Sequence, residues 1–174
     1  LALLLSLSVL PSAFAQEMTY EEGIESWRQS RAQRLQADTG WLTMVGLLPV
    51  SAGRTTIGGD GELALPASAP DTVGVLRVDG DIHFEPAPDV DVHIVTADST
   101  HRLTGTTRLR TDAAQEGPTR LRHGTITWWI IDRDGALFVR VSDTDSPYRQ
   151  WFDGLQHYDV DLAWRVQGRW VPAD

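Results

Sequence analysis

A turn ending in Asp134-Gly135 separates two runs of strand-forming residues, Thr125 to Ile131 and Ala136 to Ser142. No other feature constrains the fold of this chain as strongly. Asp-Gly between β-rich runs is a strong hairpin signal, because a tight turn matching the twist of its strands needs residues that tolerate positive φ. On the second arm Leu137, Val139 and Val141 fall on one face, and Phe138 and Arg140 on the other.

The residues from Trp41 onward repeat that pattern. Trp41 to Val45 is an apolar run closed by Gly46, and Leu47 to Val50 is a short one interrupted by Pro49. Gly53 to Ile57 is closed by Gly58-Gly59-Asp60-Gly61, and Glu62 to Leu65 is stopped by Pro66. Val73 to Val78 and Ile82 to Glu85 flank Asp79-Gly80-Asp81 as a second hairpin. Val90 to Val95 alternates, while Arg102 to Leu109 and Arg120 to His123 are weaker strand candidates. Short strands this dense, punctuated by Gly and Pro, predict a mainly β domain, an antiparallel sandwich or a barrel-like fold.

One α-helix is expected ahead of it, within residues 16–40. Thr19 with Glu22 forms a capping box, acidic residues crowd the first turns, and Arg28, Arg31 and Arg34 follow later, as the helix dipole favours. Ile24, Trp27, Arg31 and Leu35 share a stripe, and Gly40 suits a left-handed C-terminal position. The arginine row reads as a solvated face that pairs with glutamates. Residues 1–15 read as a secretory signal peptide. An apolar run from Leu1 to Leu10 is broken at Pro11-Ser12, and Ala13-Phe14-Ala15 offers small side chains for cleavage after Ala15. The run is too short to span a bilayer, so a periplasmic or secreted protein without membrane insertion after signal removal is expected. The start lacks a Met and a basic segment, which suggests truncation there. The expected domains are thus the signal peptide (1–15), the helix (16–40) and a β domain (41–174).

The formal net charge of -9 argues against nucleic acid or anionic lipid as the main partner. The absence of Cys removes thiol chemistry and Cys-ligated metal from this sequence, and an exported domain without disulfides must rest on its core. Asp91 and His93, two apart on a strand with His83 or Glu85 nearby, allow a metal site geometrically. They fall short of a ligand set, so no metal is expected, nor any cofactor. Asp143-x-Asp145 has the start of a calcium loop, but Pro147 stands where a third ligand should be, and a turn capped by Asp is the better reading.

The ordered marks Gly40-Trp41-Leu42-Thr43, Val45-Gly46-Leu47, Ala52-Gly53, Ile57-Gly58, Leu65-Pro66, Arg140-Val141-Ser142-Asp143, Ser146-Pro147, Phe152-x-Gly154-Leu155 and Trp164-Arg165-Val166 resemble the bacterial family of unknown function DUF1684. The resemblance covers nearly all of the chain after residue 15. It implies a continuation past Asp174, a block with an Asp-Phe-Asn and Tyr-Asn-Pro signature, so the β domain is expected to be truncated at its C-terminus. A weaker likeness, Gly53-x-Thr55-x-Ile57-Gly58 with Leu63-x-Leu65-Pro66 and Gly80-x-Ile82-x-Phe84, is to the forkhead-associated/SMAD-like β-sandwich. That family's phosphothreonine-binding Arg and Ser-x-x-His are replaced here by Gly59 and by Ser68-Ala69-Pro70-Asp71, so the likeness implies a fold and not phosphopeptide binding.

The exit of the second hairpin arm holds the candidate ligand-binding residues Arg140, Asp143, Asp145, Arg149, Trp151 and Phe152. Arg140 facing Asp143 and Asp145 could hold an anionic or sugar-like ligand between the apolar walls of Trp151 and Phe152. The same residues could form an internal ion pair that pins the strand exit to Arg149, which is the favoured reading because nothing here supplies a nucleophile. Catalytic residues are not identifiable, since no Gly-x-Ser-x-Gly elbow occurs. The functional expectation is a non-catalytic binding or envelope-associated module whose partner is a small molecule or envelope component. The alternative is a hydrolase-like enzyme completed by the C-terminal block.

Overall fold

The computed structural model describes residues 18–172, so the expected signal peptide and its cleavage site lie outside the described residues. The chain divides into two compact units. One is Ala32–Gly154, and the other joins residues 18–31 to residues 155–172.

The helix α1 spans Tyr20–Gln36. The expected capping box forms: the Glu22 carboxylate accepts from the Thr19 N–H at 2.8 Å, and the Thr19 hydroxyl accepts from the Glu22 N–H at 3.2 Å. Those bonds from Thr19 hold the Glu22 pKa below the usual carboxylate value. Two helix expectations are corrected. No residue of α1 is buried and Trp27 is exposed, so the stripe through Trp27 and Arg31 is not a core face; Arg31 stacks instead on the Trp27 ring at 5.7 Å. Gly40 has φ of -77°, an ordinary conformation. It is required for space, because a Cβ there would lie 2.3 Å from the Leu35 carbonyl oxygen.

In the smaller unit, Arg28 donates to the Tyr158 carbonyl at 2.6 Å, and Arg165 stacks on Tyr20 at 4.6 Å. The only regular turn in residues 155–172 is a 3₁₀ turn over Leu162–Trp164, capped by the Asp161 carboxylate accepting from the Ala163 N–H.

In the Ala32–Gly154 unit a 3₁₀ turn over Trp41–Thr43 leads into the eleven strands found among the described residues. They are β1 (Met44–Val50), β2 (Gly53–Gly58), β3 (Leu63–Ala64), β4 (Gly74–Asp79), β5 (Asp81–Pro86), β6 (His93–Val95), β7 (Thr100–Arg102), β8 (Thr107–Arg108), β9 (Arg120–His123), β10 (Ile126–Arg133) and β11 (Ala136–Asp143). A short helix α2, Pro147–Gln150, follows. Two sheets form, in the orders β1-β11-β10-β9-β6-β7 and β3-β2-β4-β5-β8. All neighbours pair antiparallel except β2 with β3. Neither sheet closes on itself, so the sandwich expectation holds and the barrel alternative does not.

The sequence signals account for most of these elements. The β10–β11 hairpin turns on Asp134 and Gly135 with φ of 54° and 84°, both positive as a two-residue turn demands. The Asp132 carboxylate accepts from the Gly135 N–H at 2.8 Å and locks the turn. β1 runs straight through Gly46 and Pro49, where two separate runs are expected from the sequence. It is an edge strand, so the missing N–H of Pro49 costs no ladder bond, and an irregularity between Met44 and Gly46 absorbs the local mismatch.

The core lies between the sheets. Ile57, Leu76, Ile82 and Phe84 of the five-stranded sheet meet Leu121, Trp128, Ile130, Val139 and Val141 of the six-stranded one. Phe84 and Trp128 touch edge to face with ring centroids 5.8 Å apart. The crossover from β8 to β9 is tied down by Asp112. Its carboxylate accepts from the Asp132 N–H at 2.9 Å and from Arg133 at 2.8 Å, and the Asp132 bond holds its pKa below the usual value. Among the described residues no helix is long and apolar enough to cross a membrane.

Candidate functional site

The period-2 alternation of β11 decides the fate of the candidate residues. Val139, Val141 and Asp143 turn to the core side, and Arg140 and Ser142 to the outer face of the six-stranded sheet. Arg140 and Asp143 are three apart, an odd number, so they point to opposite faces. The expected Arg140–Asp143–Arg149 ion cluster therefore does not form: among the described residues neither Arg140 nor Asp143 has an ion-pair partner.

Arg140 lies over the Trp41 ring at 5.7 Å. Asp143 is 6% exposed and its carboxylate accepts from the Asp145 N–H at 2.9 Å, an Asp-capped turn. Asp145 accepts from the Gln150 side chain at 2.8 Å. Trp151 is 80% exposed, and the carbonyl of half-buried Phe152 accepts from Gln36.

Arg149 does pin the strand exit, but to other partners. Its guanidinium donates to the Gln36 carbonyl at 2.7 Å, to the Thr144 carbonyl at 2.7 Å and to the Asp38 carboxylate at 2.6 Å. It thereby joins the end of α1 to the end of β11.

The outer face of the six-stranded sheet carries a depression of about 380 Å³ that the sequence reading did not assemble. Its floor follows from strand register. Arg122 on β9, Thr127 on β10 and Ser142 on β11 are consecutive cross-strand partners. Trp129 lies two residues beyond Thr127 on the same face. It is only 6% exposed although it faces away from the core, while its neighbour Trp128 faces inward. Arg120 covers it, the guanidinium 4.1 Å from the ring centroid. Burial lowers the Arg120 pKa from its ordinary value, and an arginine stays charged at any physiological pH. The turn at Gly124-Thr125 and the segment Asp38-Thr39 form the rim.

The electrostatics of this depression are one-sided. Arg120 and Arg122 have no carboxylate partner among the described residues. Among the described residues Asp38 is the only carboxylate lining the depression, and it is held by Arg149. The hydroxyls of Thr127 and Ser142 lie beside the arginines, and that of Ser142 donates to the Thr127 carbonyl at a long 3.3 Å. Such a set can bind and orient a polar ligand; it contains no nucleophile placed against a base.

A second depression, about 360 Å³, lies on the other side of β11 between Leu48, Leu65, Val141, Asp143 and Tyr148. It is mostly apolar and its carboxylate is engaged by its own turn. The residues weighed for a metal stand apart. Asp91 is paired with Arg102 at 2.9 Å and lies 3.8 Å from His93 on the six-stranded sheet, whereas His83 and Glu85 belong to the five-stranded one. Among the described residues no three His, Asp or Glu side chains gather as a metal site would need. The Gly59 and Ser68 positions of the forkhead-associated likeness lie in the loops after β2 and β3. No family model, no curated protein and no solved structure matches the sequence.

Proposed function

We propose that this chain is an exported, non-catalytic binding module of the DUF1684 type, and that it binds a small molecule or envelope component on the outer face of its six-stranded sheet. One observation carries the reading: a depression floored by strand residues whose two arginines are left without carboxylate partners. Rigid strands hold such groups in place before a ligand arrives, which lowers the ordering cost of binding. The signal-like residues 1–15 support export, and the ordered marks from Gly40 to Val166 support the family. The hydrolase-like alternative has no support in the depression, which offers hydroxyls but no base beside them.

A panel of polar metabolites and envelope-derived saccharides tests this reading. A genuine ligand at about 100 times its Kd should add about 2.7 kcal/mol of stability, which raises the melting temperature by roughly 5–10 °C. The ligand should be recovered chemically unchanged. Turnover of any panel member would contradict the non-catalytic reading.

A further inference from the structure

Resting on that reading, we infer that the ligand of the outer-face depression carries a phosphate group, held between the guanidinium groups of Arg120 and Arg122. The two arginines alternate on β9 with Leu121, which is fully buried, so both lie on the outer face with Cα atoms roughly 6.5–7 Å apart. That spacing lets two guanidinium forks converge on one group. A carboxylate is matched in charge and shape by a single fork, whereas a phosphate dianion offers three oxygens and a charge that two forks neutralise.

The neighbours favour the same chemistry. The Trp129 ring beneath Arg120 fixes the plane of that guanidinium, so little side-chain freedom remains to be lost on binding. The hydroxyls of Thr127 and Ser142, cross-strand from Arg122, add donors on the same floor. Asp38, the only carboxylate lining the depression among the described residues, is paired with Arg149 at 2.6 Å. In a chain of net charge -9, a basic concavity of this kind stands out against its surroundings and draws anions to it.

The test is calorimetric titration of the full chain with inorganic phosphate, glucose 6-phosphate, glucuronate and glucose. Both phosphates should bind saturably, more weakly as ionic strength rises, with glucuronate at least about tenfold weaker and glucose silent. Tighter binding of glucose 6-phosphate than of inorganic phosphate identifies an ester as the source, and equal binding identifies the free anion. Arg120→Gln and Arg122→Gln should each weaken phosphate at least about tenfold, while Arg54→Gln on the five-stranded sheet should leave it unchanged. The inference is overturned by no saturable phosphate binding to the unaltered chain, by glucuronate binding as tightly as phosphate, or by unchanged binding in both arginine variants. A neutral panel ligand that still bound in the depression would then sustain the binding-module reading without the phosphate.

Discussion

Trp128→Ala destabilises the β unit by about 3–5 kcal/mol, the largest effect expected of any single substitution in this chain. Trp128 is 1% exposed and packs edge to face on Phe84, itself fully buried, across the core between the two sheets. Removing the indole discards its transfer free energy and leaves a cavity that strands on both sides cannot close, since each is fixed by its ladder. For a domain whose total stability is about 5–15 kcal/mol, that is a large share. A urea titration followed by circular dichroism reads it as a lower midpoint. Trp129→Ala provides the contrast. Trp129 is also buried, but under Arg120 on the outer face, so its loss should cost less stability and mainly free the Arg120 side chain. Equal losses at the two positions would mean that Trp128 does not have the core role assigned to it.

Arg149→Ala should cost about 2–3 kcal/mol, through three bonds rather than one pair. Its guanidinium satisfies the carbonyls of Gln36 and Thr144 and the Asp38 carboxylate, and its side chain is 29% exposed, so solvent replaces these bonds only in part. The Asp38 pair by itself contributes little, because that carboxylate is 76% exposed. A second effect follows from position: without Arg149, Asp38 stands uncompensated in the lining of the depression that also holds Arg122. The variant should therefore bind anions more weakly as well as unfold more easily. Arg140→Ala and Asp143→Ala should behave independently, since their side chains lie on opposite faces of β11, and a double-mutant cycle should show additive losses. Coupling between Arg140 and Asp143 would contradict the placement of these residues, and an unaffected Arg149→Ala would contradict the pinning role.

Much of the sandwich was legible in the residues. Asp134-Gly135 and Asp79-Gly80-Asp81 specify their turns through conformations that few other residues accept, and Gly80 does take a positive φ of 93°. The capping box at Thr19 and Glu22 is a local device, readable because both partners lie within four residues. The site was not legible, for two physical reasons. Arg140 and Asp143 are close in sequence but have opposite parity on a strand, so nearness along the chain suggested a pair that the pleat forbids. Arg122, Thr127 and Ser142 are brought together only by the register of three strands, which no local pattern encodes. A partial signal existed in Arg120-Leu121-Arg122, where one buried leucine forces two arginines to the same outer face. Arg149 was expected to hold the strand exit through Arg140 and the nearby aspartates, but its partners Gln36 and Asp38 lie more than a hundred residues away.

The central claim is that the outer face of the six-stranded sheet, and not the segment after β11, meets the ligand. Backbone amide NMR of the full chain, titrated with phosphate or with any ligand that raises its melting temperature, tests this directly. The account predicts saturable shifts clustered at Arg120, Arg122, Thr127, Trp129 and Ser142, with residues 145–152 unperturbed except near Arg149. Shifts centred on Asp145, Trp151 and Phe152, with the β9–β10 strands silent, would contradict it.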